Sequence, residues 1–424
     1  RVLRSVTLAV REELYIAAAR ISGLSDAHII VRHVLPRIAG PVIVQMSLFA
    51  AIAVIVQTGI SFLGLGVAPP APTWGSMIFE ASASLNDFPW LLVPSGGVVA
   101  LTVLSFGLLG DSLRDASTES WSRPAVRQGI KARSAAKPQG LPEGGLLSMR
   151  DVTIVTGAGQ AQRTLVKGVN FDLKQGETLG IVGESGSGKT LTSLSLMGLL
   201  PPGVHVSAGT AVIQGEVVDL SNEKRLTQLR GATVGMIFQE PMAALDPCFT
   251  IGHQLAEVIR LQGLGEVQVQ AKVIALLEQV KIPHPQDVAK RYPHQISGGM
   301  AQRVGIARAL ASEPKILLAD EPTTALDVTV QAEILALLRS LSQSRLMAMV
   351  LVTHDWGVVA DICDRAMVLR HGQVLESATV VDLFHRPQHP YTQALLAANP
   401  HSAKPGDVLP TVDDKLMDIT GAAA

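Results

Sequence analysis

Gly183-Glu184-Ser185-Gly186-Ser187-Gly188-Lys189-Thr190 carries the spacing G-x-x-x-x-G-K-[ST], and the organisation of the chain unfolds outward from it. An apolar run, Thr178 to Val182, precedes it, and a Leu/Ser/Met-rich stretch with helical spacing, Leu191 to Leu200, follows. Strand, glycine-rich turn and helix in that order form a loop whose backbone N–H groups wrap toward a phosphate chain, because glycine tolerates the necessary dihedrals. The helix adds the positive end of its dipole, Lys189 reaches the outer phosphates, and Thr190 offers a hydroxyl to Mg²⁺. An ordinary glycine-rich turn is the competing reading, and the flanking strand and helix weigh against it.

The 424 residues suffice for two or three domains, and a net charge of −1 sets up no overall field toward nucleic acid or anionic lipid. Cys248 and Cys363 are the only cysteines, which excludes a disulfide scaffold and any cysteine-rich metal or iron–sulfur site. A start at Arg1 without a signal peptide reads as a piece of something longer.

Ahead of the loop the chain changes character. Arg1, Arg4, Arg11, Arg20, Arg32 and Arg37 surround Ala17-Ala18-Ala19, a helix-favouring run that Gly23 and Ser25-Asp26 interrupt with a fresh helix start. From Ile38 to Phe79 no side chain is charged, and Phe88 to Gly110 is a second uncharged run. Each is long enough to cross a bilayer, so two spans are expected at about 38–63 and 88–110, with Pro69, Pro70 and Pro72 breaking the chain between them. Basic residues lie outside the spans, whereas Val67 to Phe88 holds Glu80 and Asp87 with no Lys or Arg. Both ends are therefore expected on the cytoplasmic side. Residues 116–146, rich in Pro, Gly and basic residues without apolar period, read as a linker.

Beyond the loop, Ile316-Leu317-Leu318-Ala319-Asp320-Glu321 is a buried-type strand that delivers two carboxylates at its tip. Asp320 suits Mg²⁺ and Glu321 suits polarising an attacking water. Ile296-Ser297-Gly298-Gly299-Met300 reads as a second anion-cradling helix start, or as a plain N-cap. Val352-Thr353-His354-Asp355 is an apolar strand ending in a histidine, by itself more often structural than catalytic.

Taken together, these stretches resemble the ABC (ATP-binding cassette) ATPases, with Ser297-Gly298-Gly299 at the signature, His354 at the switch histidine, Gln239 of Ile237-Phe238-Gln239-Glu240-Pro241 at the Q-loop, and Ala325-Leu326-Asp327 at the D-loop. Ile296 and Met300 depart from the usual outer signature residues. Phe238-Gln239-Glu240-Pro241-Met242 and His389-Pro390-Tyr391-Thr392 are similar to the peptide/nickel importer class. Ala17 to Pro36, Ser61-Phe62-Leu63-Gly64-Leu65-Gly66 and Leu109 to Asp115 resemble the coupling loop and end of that class's permease subunits.

The resemblance implies a fold and an activity. The fold is α/β: an ABC-type P-loop ATPase domain with a helical subdomain (147–400), preceded by an all-α, truncated permease part (1–115, coupling loop 11–37) and followed by a tail (401–424). The activity is ATP hydrolysis coupled to import of peptides or nickel-like solutes. Glu321, His354 and Gln239 would be catalytic; Gly183, Glu184, Ser185, Gly186, Ser187, Gly188, Lys189, Thr190, Ser297, Gly298, Gly299 and Asp327 would contact ATP; and Thr190, Gln239 and Asp320 would hold Mg²⁺. Because each chain carries one P-loop and one signature, a second ABC ATPase domain is implied. So are a complementary permease subunit, an external solute-binding protein and a bacterial inner (plasma) membrane, with no role for nucleic acid. No aromatic lies among Met149 to Thr164, where the class usually stacks one on adenine and Thr156 falls instead. A soluble ABC ATPase with a non-transport role, a P-loop kinase and a decayed fusion are the other readings; the signature and Glu321 argue against the kinase.

Overall fold

In the computed structural model, residues 2–67, 71–117, 145–157, 162–324 and 326–398 are described. The linker expected at 116–146 and the tail at 401–424 fall almost wholly outside them, as do Pro69, Pro70 and Ala325. The chain forms two compact units, one of residues 1–12 with 30–125 and one of residues 13–29 with 126–424.

The first unit is helical. Leu35–Phe62 is a continuous 28-residue helix, about 42 Å long at 1.5 Å per residue, and Leu92–Ser117 is a 26-residue one. Both are long and apolar enough to cross a membrane. Met46, Phe49, Ile55, Leu101 and Leu104 on these helices point outward, at 53% to 66% exposure; only an apolar solvent makes such a surface inexpensive. Leu35-Pro36 does not interrupt the chain but lies where a π-helical stretch, Ile30–Val34, passes into the long helix, the kind of irregular turn that accommodates a proline.

The stretch between the spans is not simply a Pro-broken loop. It contains the helix Trp74–Ala83, which Thr73 and Ser76 start with a reciprocal capping box. Gly75 allows this helix to lie directly on the first span: a Cβ there would come within 2.5 Å of Ser61 Cβ and 2.6 Å of Phe62 N. Phe62 and Phe79 meet edge to face at 5.7 Å.

The second unit holds two sheets. Strands β1 (Gly145–Thr156), β2 (Arg163–Lys174), β4 (Val204–Ile213) and β5 (Glu216–Asp219) pair antiparallel in the order β2-β1-β4-β5. The other sheet runs β10-β9-β3-β8-β7-β6, with β3 (Thr178–Val182), β6 (Val234–Ile237), β7 (Ile316–Asp320), β8 (Ala348–Thr353), β9 (Arg365–Arg370) and β10 (Gln373–Thr379). All neighbours in it are parallel except β10 on β9. β3, β7 and β8 are buried at every residue, which explains their unbroken apolar runs: a strand covered on both faces has no polar face to alternate with.

Leu147, Ile154, Phe171, Leu179, Ile181, Met236 and Val350 share one core between the sheets. A second core joins the helices Ile251–Arg260, Glu266–Gln279 and Gly298–Ala311 to the sheet through Leu255, Val273, Val304 and Leu317. This helical layer is the subdomain expected from the sequence.

Residues 13–29 belong to the same unit as the sheets. The helix Leu14–Ile21 buries Ile16, Ala19 and Ile21, and Ile21 joins the core that holds Met197 and Val234. Gly23, with φ +86°, then turns the chain, as its sequence position suggested, into the short helix Asp26–Ile29.

Candidate functional site

Parallel neighbours bring their C-terminal tips side by side, so the order β3-β8-β7 decides which sequence motifs meet. β3 ends at the Gly183–Thr190 loop, β8 at His354 and β7 at Asp320-Glu321. Residues more than a hundred positions apart thereby share one site.

The loop needs its glycines for two reasons. Gly183, Gly186 and Gly188 have φ of +157°, +82° and +100°. A Cβ on Gly183 would also fall inside contact distance of the Leu369 carbonyl and 2.8 Å from Ser187 Oγ, and one on Gly188 would lie 2.7 Å from Val166. The helix Lys189–Met197 starts directly after Gly188, leaving its first N–H groups toward the loop. Lys189 is buried, and its Nζ donates to the carbonyls of Gly183 (2.8 Å) and Glu184 (2.9 Å). Burial lowers the pKa of this ammonium, while Glu321, Asp320 and Glu184 pull it back up.

Across the loop, Thr190 Oγ1 donates to Asp320 Oδ1 at 3.1 Å. Burial, more than any other cause, pushes the Asp320 carboxyl up to about 6; Glu321 adds to the rise, while Thr190 and Lys189 oppose it. A buried carboxylate with its pKa raised is short of positive charge, which is the state a bound cation relieves.

Glu321 is the hub. Its backbone sits at φ +44°, an uncommon conformation for a non-glycine residue. One carboxylate oxygen accepts from Gln239 Nε2 (3.2 Å) and Thr324 Oγ1 (2.8 Å), and the other lies 3.1 Å from His354 Nδ1. Thr324 was not singled out in the sequence; its position three residues after a strand-end glutamate was the available signal.

The signature residues form a separate surface. Ser297 caps the helix Gly298–Ala311 by accepting from Met300 N–H (3.3 Å), and Ser297 and Gly298 are exposed. Among the described residues, the hydrogen bonds of Ser297 stay within this helix start. Asp327 likewise caps the helix Val328–Arg345, its Oδ1 accepting from Val330 N–H at 2.9 Å. Thr156 ends β1 with its hydroxyl on the Gly203 carbonyl (3.3 Å), not in the loop's polar cluster.

The segment 13–29 lies beside the Gln239 loop. Ala18, Ile21 and Ser22 line a cavity together with Ile237, Phe238 and Pro241, the residues around Gln239. His28 Nε2 is 2.7 Å from the buried Glu257 carboxylate on the helix Ile251–Arg260. Neither His28 nor Glu257 carried a sequence signal, since their pairing exists only after docking.

A P-loop at the centre of a mainly parallel sheet, with carboxylates at the tip of the strand two places away, defines a P-loop nucleoside-triphosphate-binding protein. Residues 166–324 match the family described as ABC transporter, and residues 1–122 match the binding-protein-dependent transport system inner membrane component. A dimeric ATP-binding cassette solved in a post-hydrolysis state with ADP and Pi is 30% identical, with a TM-score of 0.50 over 55% of this chain and 98% of that one. The cbiO1 structure from Clostridium perfringens, part of the ABC transporter complex cbiONQ, is 27% identical with a TM-score of 0.51 over 57% and 92%. Glutathione import ATP-binding protein GsiA of Salmonella typhimurium is 48% identical over 284 residues, covering 64% of this chain and 46% of that protein. The Escherichia coli K12 protein of that name is 48% identical over 267 residues, 61% and 43%. The chain spans about half the length, 46% and 43%, of these curated relatives.

The chain belongs to the ATP-binding cassette family, as a cassette joined in one polypeptide to a binding-protein-dependent permease segment. ATP binding and ATP hydrolysis are the chemistry of that class, and the paired apolar helices make this member membrane-associated.

Proposed function

We propose that this protein is the ATP-hydrolysing, coupling component of an importer in a bacterial plasma membrane, with the cassette on the cytoplasmic side. Its solute is a peptide or a related small solute, including nickel; the two curated relatives, named for glutathione import, support the peptide class. The observation that carries the reading is the cavity that Ala18, Ile21 and Ser22 line together with Phe238 and Pro241. Gln239, between them, holds Glu321. One loop thus separates a segment continuous in sequence with the first span from the carboxylate at the hydrolytic position.

Thr190, Asp320 and Gln239 offer the hydroxyl, carboxylate and amide oxygens that Mg²⁺ prefers, and the raised pKa of Asp320 fits a cation beside it. Bound there, Mg²⁺ supplies neutralisation of phosphate charge. Gly183 to Lys189 bind the phosphates through backbone N–H groups and the Lys189 ammonium. Glu321 orients the attacking water and takes its proton, held in place by Thr324, Gln239 and His354. Ser297 and Gly298 are exposed and Gly299 follows them in the same helix start, so the three serve the nucleotide of a second cassette in a head-to-tail pair, with Asp327 at the same seam. The dimeric state of the solved relative supports that pairing. A complementary permease subunit and an external solute-binding protein complete the importer.

The test is ATP hydrolysis by the purified chain and its Glu321→Gln variant, alone and with a candidate partner cassette. Activity that needs the partner and vanishes in the variant supports the shared site. Activity of the chain alone, lost in the variant, assigns a homodimer. No ATP binding under any condition overturns the proposal.

A further inference from the structure

The loop helix Lys189–Met197 has two ends, and the reading above uses only the first. At its C-terminus Gly198 adopts φ +61°, and the carbonyls there point toward Arg230. Arg230 Nε donates to the Met197 carbonyl at 2.8 Å and Nη2 to the Gly198 carbonyl at 3.2 Å. The side chain is buried, with 6% of its surface exposed. A guanidinium fixed on a helix C-terminus complements the negative end of the dipole whose positive end faces the phosphates.

The other side of Arg230 meets residues 13–29. A Cβ on Gly23 would lie 3.4 Å from the Arg230 carbonyl, and a Cβ on Gly231 would lie 3.1 Å from the Ser22 carbonyl. These two glycines let the backbones touch. Both have positive φ, +86° and +82°, so the close approach is built into the turns themselves. Ile21, Leu196, Met197, Leu226 and Leu229 lie in one continuous core around this junction. The loop helix, Arg230 and the docked segment are therefore stacked without an intervening loop. Phe238 and Pro241, which flank Gln239, face the segment across a cavity that Ala18, Ile21 and Ser22 line with them, so this second approach comes from a different cassette loop.

We infer that Arg230 is a positioning residue that transmits the nucleotide state of the loop helix to residues 13–29, by a route separate from Gln239. Phosphates bound at the helix N-terminus bias the position of a short, stiff, nine-residue helix. Its far end is tied to Arg230, and Arg230 is in backbone contact with the turn Ser22-Gly23. A displacement at one end is thus passed on through hydrogen bonds and close-packed backbone, which deform little. The inference rests on the proposed reading of residues 183–190 as the phosphate site and of residues 13–29 as the segment that drives the permease part.

The test uses the full chain in detergent, in a Glu321→Gln background that keeps ATP intact. Hydrogen exchange of residues 13–29 is measured with and without MgATP, beside a direct ATP-binding titration. The unmodified background is expected to show an exchange change at residues 13–29 on ATP binding. Arg230→Met is expected to bind ATP within about fivefold of the background, the size of one helix-end charge contact, while losing most of that change. Gln239→Ala is expected to retain part of it. Arg230→Lys, which keeps the charge with fewer fixed donors, is expected to fall between and decides the matter if Arg230→Met does not fold. An undiminished response at residues 13–29 in the folded Arg230 variants overturns the inference, as does ATP binding without any response in the background. Failure of the background to bind ATP overturns the phosphate-site reading instead.

Discussion

Two glycines of the phosphate loop provide a matched test of how its shape is held. Gly183 and Gly186 both have positive φ, +157° and +82°, so alanine at either site incurs a backbone strain of about 1–2 kcal/mol. Their surroundings differ. A Cβ on Gly183 would meet the Leu369 carbonyl inside contact distance and Ser187 Oγ at 2.8 Å, whereas one on Gly186 has nothing within 4 Å. The Leu369 contact is with β9 backbone, which cannot swing aside like a flexible side chain. Overpacking of that kind adds about 1–3 kcal/mol. Gly183→Ala should therefore destabilise the cassette by about 2–5 kcal/mol and Gly186→Ala by about 1–2 kcal/mol. At about 2–4 °C per kcal/mol for a unit of this size, the crowding alone should make the Tm loss of Gly183→Ala larger by about 2–12 °C. The assay is thermal unfolding of both variants without nucleotide, followed by chemical denaturation to confirm an unchanged m-value. Equal losses, or a larger loss in Gly186→Ala, would refute the claim that β9 backbone crowding fixes the loop.

The raised pKa of Asp320 makes a prediction with a definite sign. Its folded value of about 6 lies above the ordinary 3.8, so the folded state binds the proton more tightly and stability falls as pH rises from 4 to 6. The Asp320→Asn variant, measured without Mg²⁺ or nucleotide, should then be more stable than the parent at pH 7 by about 1–3 kcal/mol and should lose that advantage near pH 4. Ser297→Ala removes the cap on Met300 N–H and should cost about 1 kcal/mol in denaturant unfolding, while lowering ATP hydrolysis without weakening ATP binding to the isolated chain. His28→Ala removes the contact with Glu257 and should loosen residues 13–29 by about 1 kcal/mol, read as faster limited proteolysis at Arg20.

Much of the site was legible because its chemistry is local. The spacing of Gly183 to Thr190, the strand before it and the helix after it specify a phosphate loop within a dozen consecutive residues. The carboxylates at the tip of Ile316–Asp320 and the histidine after Ala348–Thr353 announce themselves as polar residues ending fully apolar runs. The two long uncharged stretches are similarly self-contained, since a span needs only length and hydropathy.

What the sequence did not carry is proximity. Gln239 at Glu321, His28 at Glu257 and Arg230 between Met197 and Ser22 pair residues whose partners are chosen by packing. The helix Trp74–Ala83 was hidden because Pro69, Pro70 and Pro72 ahead of it read as breaks; its Thr73–Ser76 cap is local, but the seat of Gly75 on the first span is not.

The chain's order of residues alone determined that there is a phosphate loop, an acidic strand tip and a pair of apolar spans, because each is a short-range pattern with its own physical cause. Only the tertiary structure decided that β8 lies between β3 and β7, and that residues 13–29 fold against the cassette. Strand order and docking are settled by which apolar faces bury one another, a long-range choice that local spacing does not encode.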